Sequence, residues 1–364
     1  MMWKLVSDKT ISSLKKIVGI TMGWALISSA ICFYEELVFI SPDIVYTGIS
    51  LKNRLFAQII AAVLAGFTGG SMVVIYFQKW LRTLPYGKAL ILILFVYSVI
   101  CIIISYIVGH LTLFREHNLT IFTYQLHLKV IDFLKSADFL RIYFSWFLIM
   151  LGTLITLLIQ DKYGPGALKD FLLGKYFHPR KEERIFMFLD LRSSTAIAEK
   201  LGDEKYFSFI KEVFSDATDP IIYAKGEIYQ YVGDEIIISW KMKNGLQNAH
   251  CIKCFFDVQA VFSTKQDHYL KTYGISPEFK AGLHYGYVIA GEVGVVKRDI
   301  AFSGDVLNTA ARIQALCNEL NRDLLFSKHL YDRIKEMNPA FIGREIKAVT
   351  LRGKEEKITL YTAD

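Results

Sequence analysis

Two acids, Asp190 and Asp234, are the side chains of this sequence best placed to do chemistry. Arg184-Ile-Phe-Met-Phe-Leu-Asp-Leu runs apolar into Asp190, and Ser193-Ser-Thr then begins a helix. Glu227-Ile-Tyr-Gln-Tyr-Val-Gly-Asp-Glu-Ile-Ile-Ile-Ser-Trp reads as two strands folded over a tight turn at Gly233-Asp234. If these strands are neighbours in one sheet, the acids stand side by side at its end. Carboxylates that close repel, so such a pair needs a cation or a shared proton. Hard oxygen donors of this type suit Mg²⁺ or Mn²⁺ held together with substrate phosphates. The local alternative is that Asp190 caps the following helix and Asp234 fills a turn.

A second pair complements the acids. Asn308 and Arg312 are four apart, so on a helix they project from one face. Asn offers a neutral hydrogen bond, and Arg a rigid fork suited to phosphate. Arg352 and Lys354 add cations near the C-terminus, where an ordinary charged turn is the competing account.

The elements that must position these groups alternate from Arg184 onward. A helix is predicted over Glu204–Lys225, with Tyr206, Phe207, Phe209, Ile210, Val213 and Phe214 on its buried face. The strand pair around Gly233 follows, then a helix over roughly Leu246–Thr272. Phe279 to Glu292 reads as a second strand pair, Gly304-Asp-Val-Leu-Asn opens another helix, and short strands near Leu324 and the C-terminus finish the domain. This order fits an α+β, ferredoxin-like βαββαβ core with additions.

The first half of the chain has a different composition. Over all 364 residues the hydrophobic fraction is 53%, above the roughly 45–50% of soluble domains, and the excess lies before residue 161. Ile17–Tyr34, Leu55–Phe77, Ala89–Val108 and Ile142–Ile159 carry no charge and are long enough to span a bilayer. Lys4, Lys9, Lys15 and Lys16 precede the first run, and Lys79, Arg82 and Lys88 lie in the second connection. The first connection carries Glu35, Glu36 and Asp43 against Lys52 and Arg54. By the positive-inside rule both termini are cytoplasmic, on a multi-pass anchor in the cell (inner) membrane. The third connection, Leu111–Arg141, is read as a small extracytoplasmic cap, and no cluster of buried charges within the spans names a stimulus. The division expected is a four-helix membrane domain over 1–160, a linker or signalling helix over 161–183 and a soluble domain over 184–364.

The net charge of +7 reads as juxtamembrane Lys and Arg, not as a nucleic-acid surface. Cys251 and Cys254 form a CxxC, but no second pair completes a zinc site. His110, near a span end, reads as interfacial.

Phe188-Leu-Asp-Leu-Arg-Ser-Ser-Thr, Tyr231-Val-Gly-Asp-Glu, Gly282-Leu-His-Tyr-Gly and Gly304-Asp-Val-Leu-Asn-Thr-Ala-Ala-Arg, in this order, resemble the class III adenylate/guanylate cyclase catalytic domain. The resemblance covers roughly Arg184–Thr362 and, with the apolar half, is similar to membrane-bound bacterial adenylate cyclases. It implies that Asp190 and Asp234 bind two Mg²⁺ or Mn²⁺, with the Leu191 carbonyl as a further ligand. Asn308 then orients the ribose, Arg312 stabilises transition-state charge, and Arg352 stands where the family usually has a phosphate-binding lysine. In that family one domain supplies the metal acids and another the Asn and Arg. A chain with both sets and one such domain therefore implies a homodimer. The implied reaction is attack of the ribose 3′-oxygen on the α-phosphate, converting ATP to 3′,5′-cyclic AMP and pyrophosphate for intracellular signalling.

The pattern departs from the family at the base. Adenylate-specific members place Lys four residues before the second Asp, and Asp or Thr seven before the Asn; here those positions are Gln230 and Ala301. The guanylate pattern of Glu and Cys is missing too. A Gln amide both donates and accepts, so it can serve adenine or guanine; the absence of a guanine-reading acid favours ATP, with GTP as the alternative. Near residue 296 the family's phosphate-contacting Arg is Val296, with Lys297 and Arg298 as substitutes. A catalytically inactive nucleotide-binding membrane receptor is the non-enzymatic alternative. A diguanylate cyclase is disfavoured because Asn308 and Arg312 have no place in it.

Overall fold

The computed structural model describes residues 2–38, 51–77, 80, 84–117, 123–163, 173–296, 298–351 and 357–363, and the chain divides into two compact units, Met1–Lys162 and Tyr163–Asp364. Of the sequence features above, Asp43, Lys79, Arg82, the linker segment 164–172, Lys297, Arg352 and Lys354 lie outside the described residues.

The first unit is helical: α1 (Met2–Val38), α2 (Leu51–Met72, continued by a π-helical turn over Val73–Phe77), α3 (Tyr86–His117), α4 (Tyr124–Leu134) and α5 (Ala137–Tyr163). Ser13–Glu35, Lys52–Phe77, Gly87–Arg115 and Ala137–Gln160 are long and apolar enough to cross a membrane. Lipid gives apolar side chains no reason to leave it, so contacts between such helices rely on small residues and polar links. At Gly66 an added Cβ would lie 2.6 Å from the Thr21 main chain. Trp24 Nε1 donates to Thr153 Oγ1 at 2.9 Å, and Ser28 Oγ donates to Gln58 Oε1 at 2.8 Å. The connection expected as a cap contains α4 between the ends of α3 and α5.

The second unit runs β1 (Arg180–Leu191), α6 (Ser194–Leu201), α7 (Asp203–Tyr223), β2 (Glu227–Val232), β3 (Glu235–Lys241), α8 (Met242–Leu246), α9 (His250–Thr264), α10 (Gln266–Tyr273), β4 (Phe279–Val293), β5 (Asp299–Ser303), α11 (Asp305–Glu319), β6 (Leu324–Ser327), α12 (Lys328–Met337), β7 (Arg344–Thr350) and β8 (Lys357–Thr362). The sheet order is β2-β3-β1-β4-β6-β8-β7, with β5 paired to β4. β2-β3-β1-β4 is antiparallel, whereas β4 and β6 run parallel. A βαββαβ core with additions fits this order.

Two sequence expectations are corrected. Phe279 to Glu292 is one continuous strand whose hairpin partner is β5, not a pair folded on itself. Its glycines do not turn the chain; they let other elements close in. The helix expected over Leu246–Thr272 is instead α8, α9 and α10, because Asn248 and Ala249 adopt left-handed φ values of 52° and 51° and a second break falls at Lys265.

Strand parity decides which side chains meet. Ile185, Met187, Leu189 and Leu191 pack with Phe209 and Val213 of α7 and Phe255 and Val258 of α9. Phe186 and Phe188 face the other way, toward Ile237, Val288, and Val306 and Ala310 of α11. With both faces covered, β1 must be apolar at nearly every position, as its sequence is. Asp190 continues the even series and emerges on the α11 face.

Candidate functional site

The carboxylate end of β1 gathers more than the two acids. Asp190 lies opposite Glu235 on β3 and opposite Lys280 on β4, so the three side chains share one sheet face. Asp190 Oδ2 accepts a hydrogen bond from Gln314 Nε2 at 2.7 Å and stands 3.1 Å from Lys280 Nζ. Asp234 occupies the β2–β3 turn directly after Gly233, whose φ of 64° favours glycine. The capping alternative for Asp190 is not met: the following helix starts at Ser194, and its cap position is Ser193.

Burial raises the Asp190 carboxyl above its ordinary range; Lys280 opposes the rise and the Asp234 charge adds to it. Burial, then the charges of Asp190 and Asp234, push Glu235 up to about 7. Burial and the same two charges raise Tyr206 of α7, which places its hydroxyl near the acids. Asp190 and Glu235 are thus held above their ordinary values where Asp234 and a single lysine, Lys280, stand close by, and an added cation relieves the repulsion among the carboxylates. The donor set is hard oxygen, as Mg²⁺ or Mn²⁺ requires. No group of three or more His, Cys, Asp or Glu forms a closed cage among the described residues. Two carboxylates with a main-chain oxygen leave coordination places for phosphate and water, so the residues present fit a divalent ion shared with substrate. Leu191, the end of β1, is buried beside Asp190.

The structure does not bring the other expected residues to this cluster. Asn308 is exposed and Arg312 half-buried on α11, whose inward side carries Val306, Ala310, Ile313, Gln314 and Cys317. Among the described residues the Arg312 side chain forms no hydrogen bond or ion pair. Gln230 is exposed at an irregularity in β2, and Ala301 is half-buried on β5. Their neighbours meet: the Phe302 N–H donates to the Tyr229 hydroxyl at 3.3 Å, and the two rings pack edge to face at 5.0 Å. Gln230 and Ala301 thus flank one junction between β2 and β5.

That junction is braced by a charge inside the fold. Arg184 is buried and donates to Glu182 and Glu227 at 2.7 Å each and to Ser239 at 3.1 Å, with its guanidinium 4.6 Å from the Phe302 ring centre.

Glu235, Lys280 and Gln314 were not among the sequence candidates. Cross-strand register was the missing signal for Glu235 and Lys280. The CxxC holds no reactive thiol: Cys251 and Cys254 are fully buried on α9, and burial pushes the Cys251 thiol up to about 12.

A family model described as the adenylate and guanylate cyclase catalytic domain matches residues 178–363. Among curated proteins, "Adenylate cyclase 2" of Rhizobium meliloti is 34% identical over 208 residues, 57% of this chain and 57% of that protein. "Adenylate cyclase" of Anabaena cylindrica is 25% identical over 178 residues, covering 48% of this chain and 35% of its own. The chain thus spans little more than half, or less, of these relatives. Among solved structures, a bacterial light-regulated adenylyl cyclase aligns with a TM-score of 0.51 at 22% identity, over 63% of this chain and 66% of its own. At that identity the likeness concerns the fold.

Proposed function

Because the chain belongs to the adenylate and guanylate cyclase catalytic-domain family, we propose that it is a membrane-bound adenylate cyclase, converting ATP to 3′,5′-cyclic AMP and pyrophosphate for intracellular signalling. The observation that carries the reading is the acidic end of β1, with Asp190, Asp234 and Glu235 gathered beside the α11 face of the sheet. Asp190, Asp234 and the Leu191 carbonyl would hold two Mg²⁺ or Mn²⁺. Bound there, the ions would lower the pKa of the ribose 3′-hydroxyl and neutralise the triphosphate.

The remaining roles fall to residues of a second copy. Asn308 orients the ribose, Arg312 meets charge developing on the α-phosphate, and Arg352 and Lys297 bind phosphate. Gln230 and Ala301 border the base. On this reading the protein is a homodimer with two equivalent sites, each built from the acids of one protomer and the α11 face of its partner. It sits in the cell membrane through the helices of 1–160, with both termini and the catalytic domain of 184–364 cytoplasmic and 161–183 as the connection.

Co-expression of full-length Asp190→Ala and Arg312→Ala chains is the test. Each variant alone is inactive, and the mixture regains about one site in place of two per heterodimer. Absence of complementation rejects the shared site. Parallel assays with ATP and GTP and Mn²⁺ decide the base, since Gln230 matches neither established pattern. Nucleotide binding without pyrophosphate release would identify the inactive receptor instead.

A further inference from the structure

The helical unit holds a half-open cavity of about 550 Å³. Its size lies within the roughly 300–1,000 Å³ typical of small-molecule sites.

The lining is divided along its length. Trp24, Phe77, Trp146 and Met150 form apolar wall, and each is buried. Glu35, Arg54, Lys129, Asp132, Asp138 and Arg141 also line it. All six sit where α1 ends, α2 begins and α4 and α5 meet, so they gather at one end of the bundle, away from Lys15 and Lys16. Lys129 and Asp132 are exposed, which makes this end a mouth. Along the sequence these charges mark only the edges of separate spans; the fold assembles them into one rim.

We infer that this cavity is a binding site for a single-chain amphiphile with a zwitterionic head. Water is a poor occupant of the apolar part, whose walls offer few polar partners. From Asp138 to Met150 the helix advances about 18 Å at 1.5 Å per residue, the reach of a chain of roughly fourteen carbons. At about 30 Å³ per water-sized unit, the volume holds on the order of eighteen heavy atoms, which is one acyl chain and not two, with the head left at the exposed rim. The rim supplies three acids and three bases. Arg141 lies 3.6 Å from both Glu35 and Asp138, so acids and bases are interleaved around the rim. A head with both signs finds a partner for each of its charges, whereas a lone carboxylate or ammonium meets as many like charges as opposite ones.

The test is native mass spectrometry of the full-length protein released from micelles. The probes are palmitoyl-lysophosphatidylcholine, dipalmitoyl-phosphatidylcholine, palmitate and phosphocholine. One saturable adduct is expected with the lyso form, and none with phosphocholine. The two-chain form, which stands for ordinary bilayer lipid, should fail to compete. Ala65→Phe, which fills the cavity from α2, should weaken the adduct at least tenfold. Phe67→Leu, at a 61% exposed position on the same helix, should leave it unchanged. Ala57→Phe gives an independent filling variant should the first fail to fold. An adduct that survives both filling variants, that does not saturate, or that forms equally with palmitate or the two-chain lipid overturns the assignment. The binding readout is independent of the cyclase reading.

Discussion

Replacing Gly282 by Ala tests the packing that places α11 over the site. A Cβ at this position would lie 2.2 Å from the Gln314 main-chain nitrogen, 2.5 Å from its Cα and 2.6 Å from the Ala310 carbonyl oxygen. All three are main-chain atoms, so no side-chain rotation relieves the clash. Ordinary contact begins at 3.4 Å, and the helix must therefore withdraw by about 1.2 Å. Overpacking of this kind costs roughly 1–3 kcal/mol. Gln314 also donates to Asp190 at 2.7 Å, and loss of a hydrogen bond to a charged group adds about 1.5–3 kcal/mol. A total near 4 kcal/mol lowers the melting temperature of a unit this size by about 10 °C. Thermal unfolding of the full-length protein, with hydrogen exchange across α11, measures both effects. Exchange should accelerate at Ala310–Cys317 before it does in β1. A Gly282→Ala protein within 1 kcal/mol of the parent, with unchanged α11 protection, would refute the argument that the glycine exists for this contact.

Other outcomes follow from the same structure. Arg184→Ala strands Glu182 and Glu227 and removes the stacking on Phe302; a loss of about 3 kcal/mol is expected in urea unfolding. Asp257 on α9 has a buried Oδ1 with no hydrogen-bond partner among the described residues, and burial raises its carboxyl above the ordinary value. Its contribution to stability is therefore complete below the unfolded-state value and lost as pH climbs through the raised one. Asp257→Asn should match the parent near pH 4 and exceed it in stability at pH 8; a pH-independent difference contradicts this. Gln230→Lys combined with Ala301→Asp should shift the ratio of ATP to GTP turnover toward ATP by roughly tenfold, the scale of one hydrogen-bond discrimination.

Part of this was legible because strand parity is rigid. An apolar run ending in Asp190 and a turn ending in Asp234 suffice to place two acids at a sheet end once the strands are neighbours. Glu235 and Lys280 were hidden because their meeting with Asp190 depends on cross-strand register, which no local pattern encodes. Phe279 to Glu292, with Gly282 and Gly286 inside it, reads from the sequence as a strand pair. Within a strand, however, glycine often marks close approach of another element, and here α11 and Val306 fill that space. The helix after β3 was over-extended because Asn248 and Ala249 take left-handed conformations that an apolar periodicity does not reveal. The rim of the membrane cavity was the least legible feature, since its six charges come from four helices spread over more than a hundred residues.

The two-copy reading has a physical basis in α11 itself. An α-helix turns about 100° per residue, so Asn308 and Arg312 differ by about 40° around the axis, while Gln314 lies about 200° beyond Arg312. Gln314 is buried and bound to Asp190, which fixes the inward side of the helix at the acids of its own sheet. Asn308 and Arg312 must then face outward, and rotating the helix to bring them inward would expose Ile313 and Cys317, both fully buried. Within one chain, therefore, Asn308 and Arg312 do not reach the Asp190 cluster while Ile313, Gln314 and Cys317 stay buried. On the proposed reading a second copy would present its own α11 to these acids, with the buried side of each helix left in place.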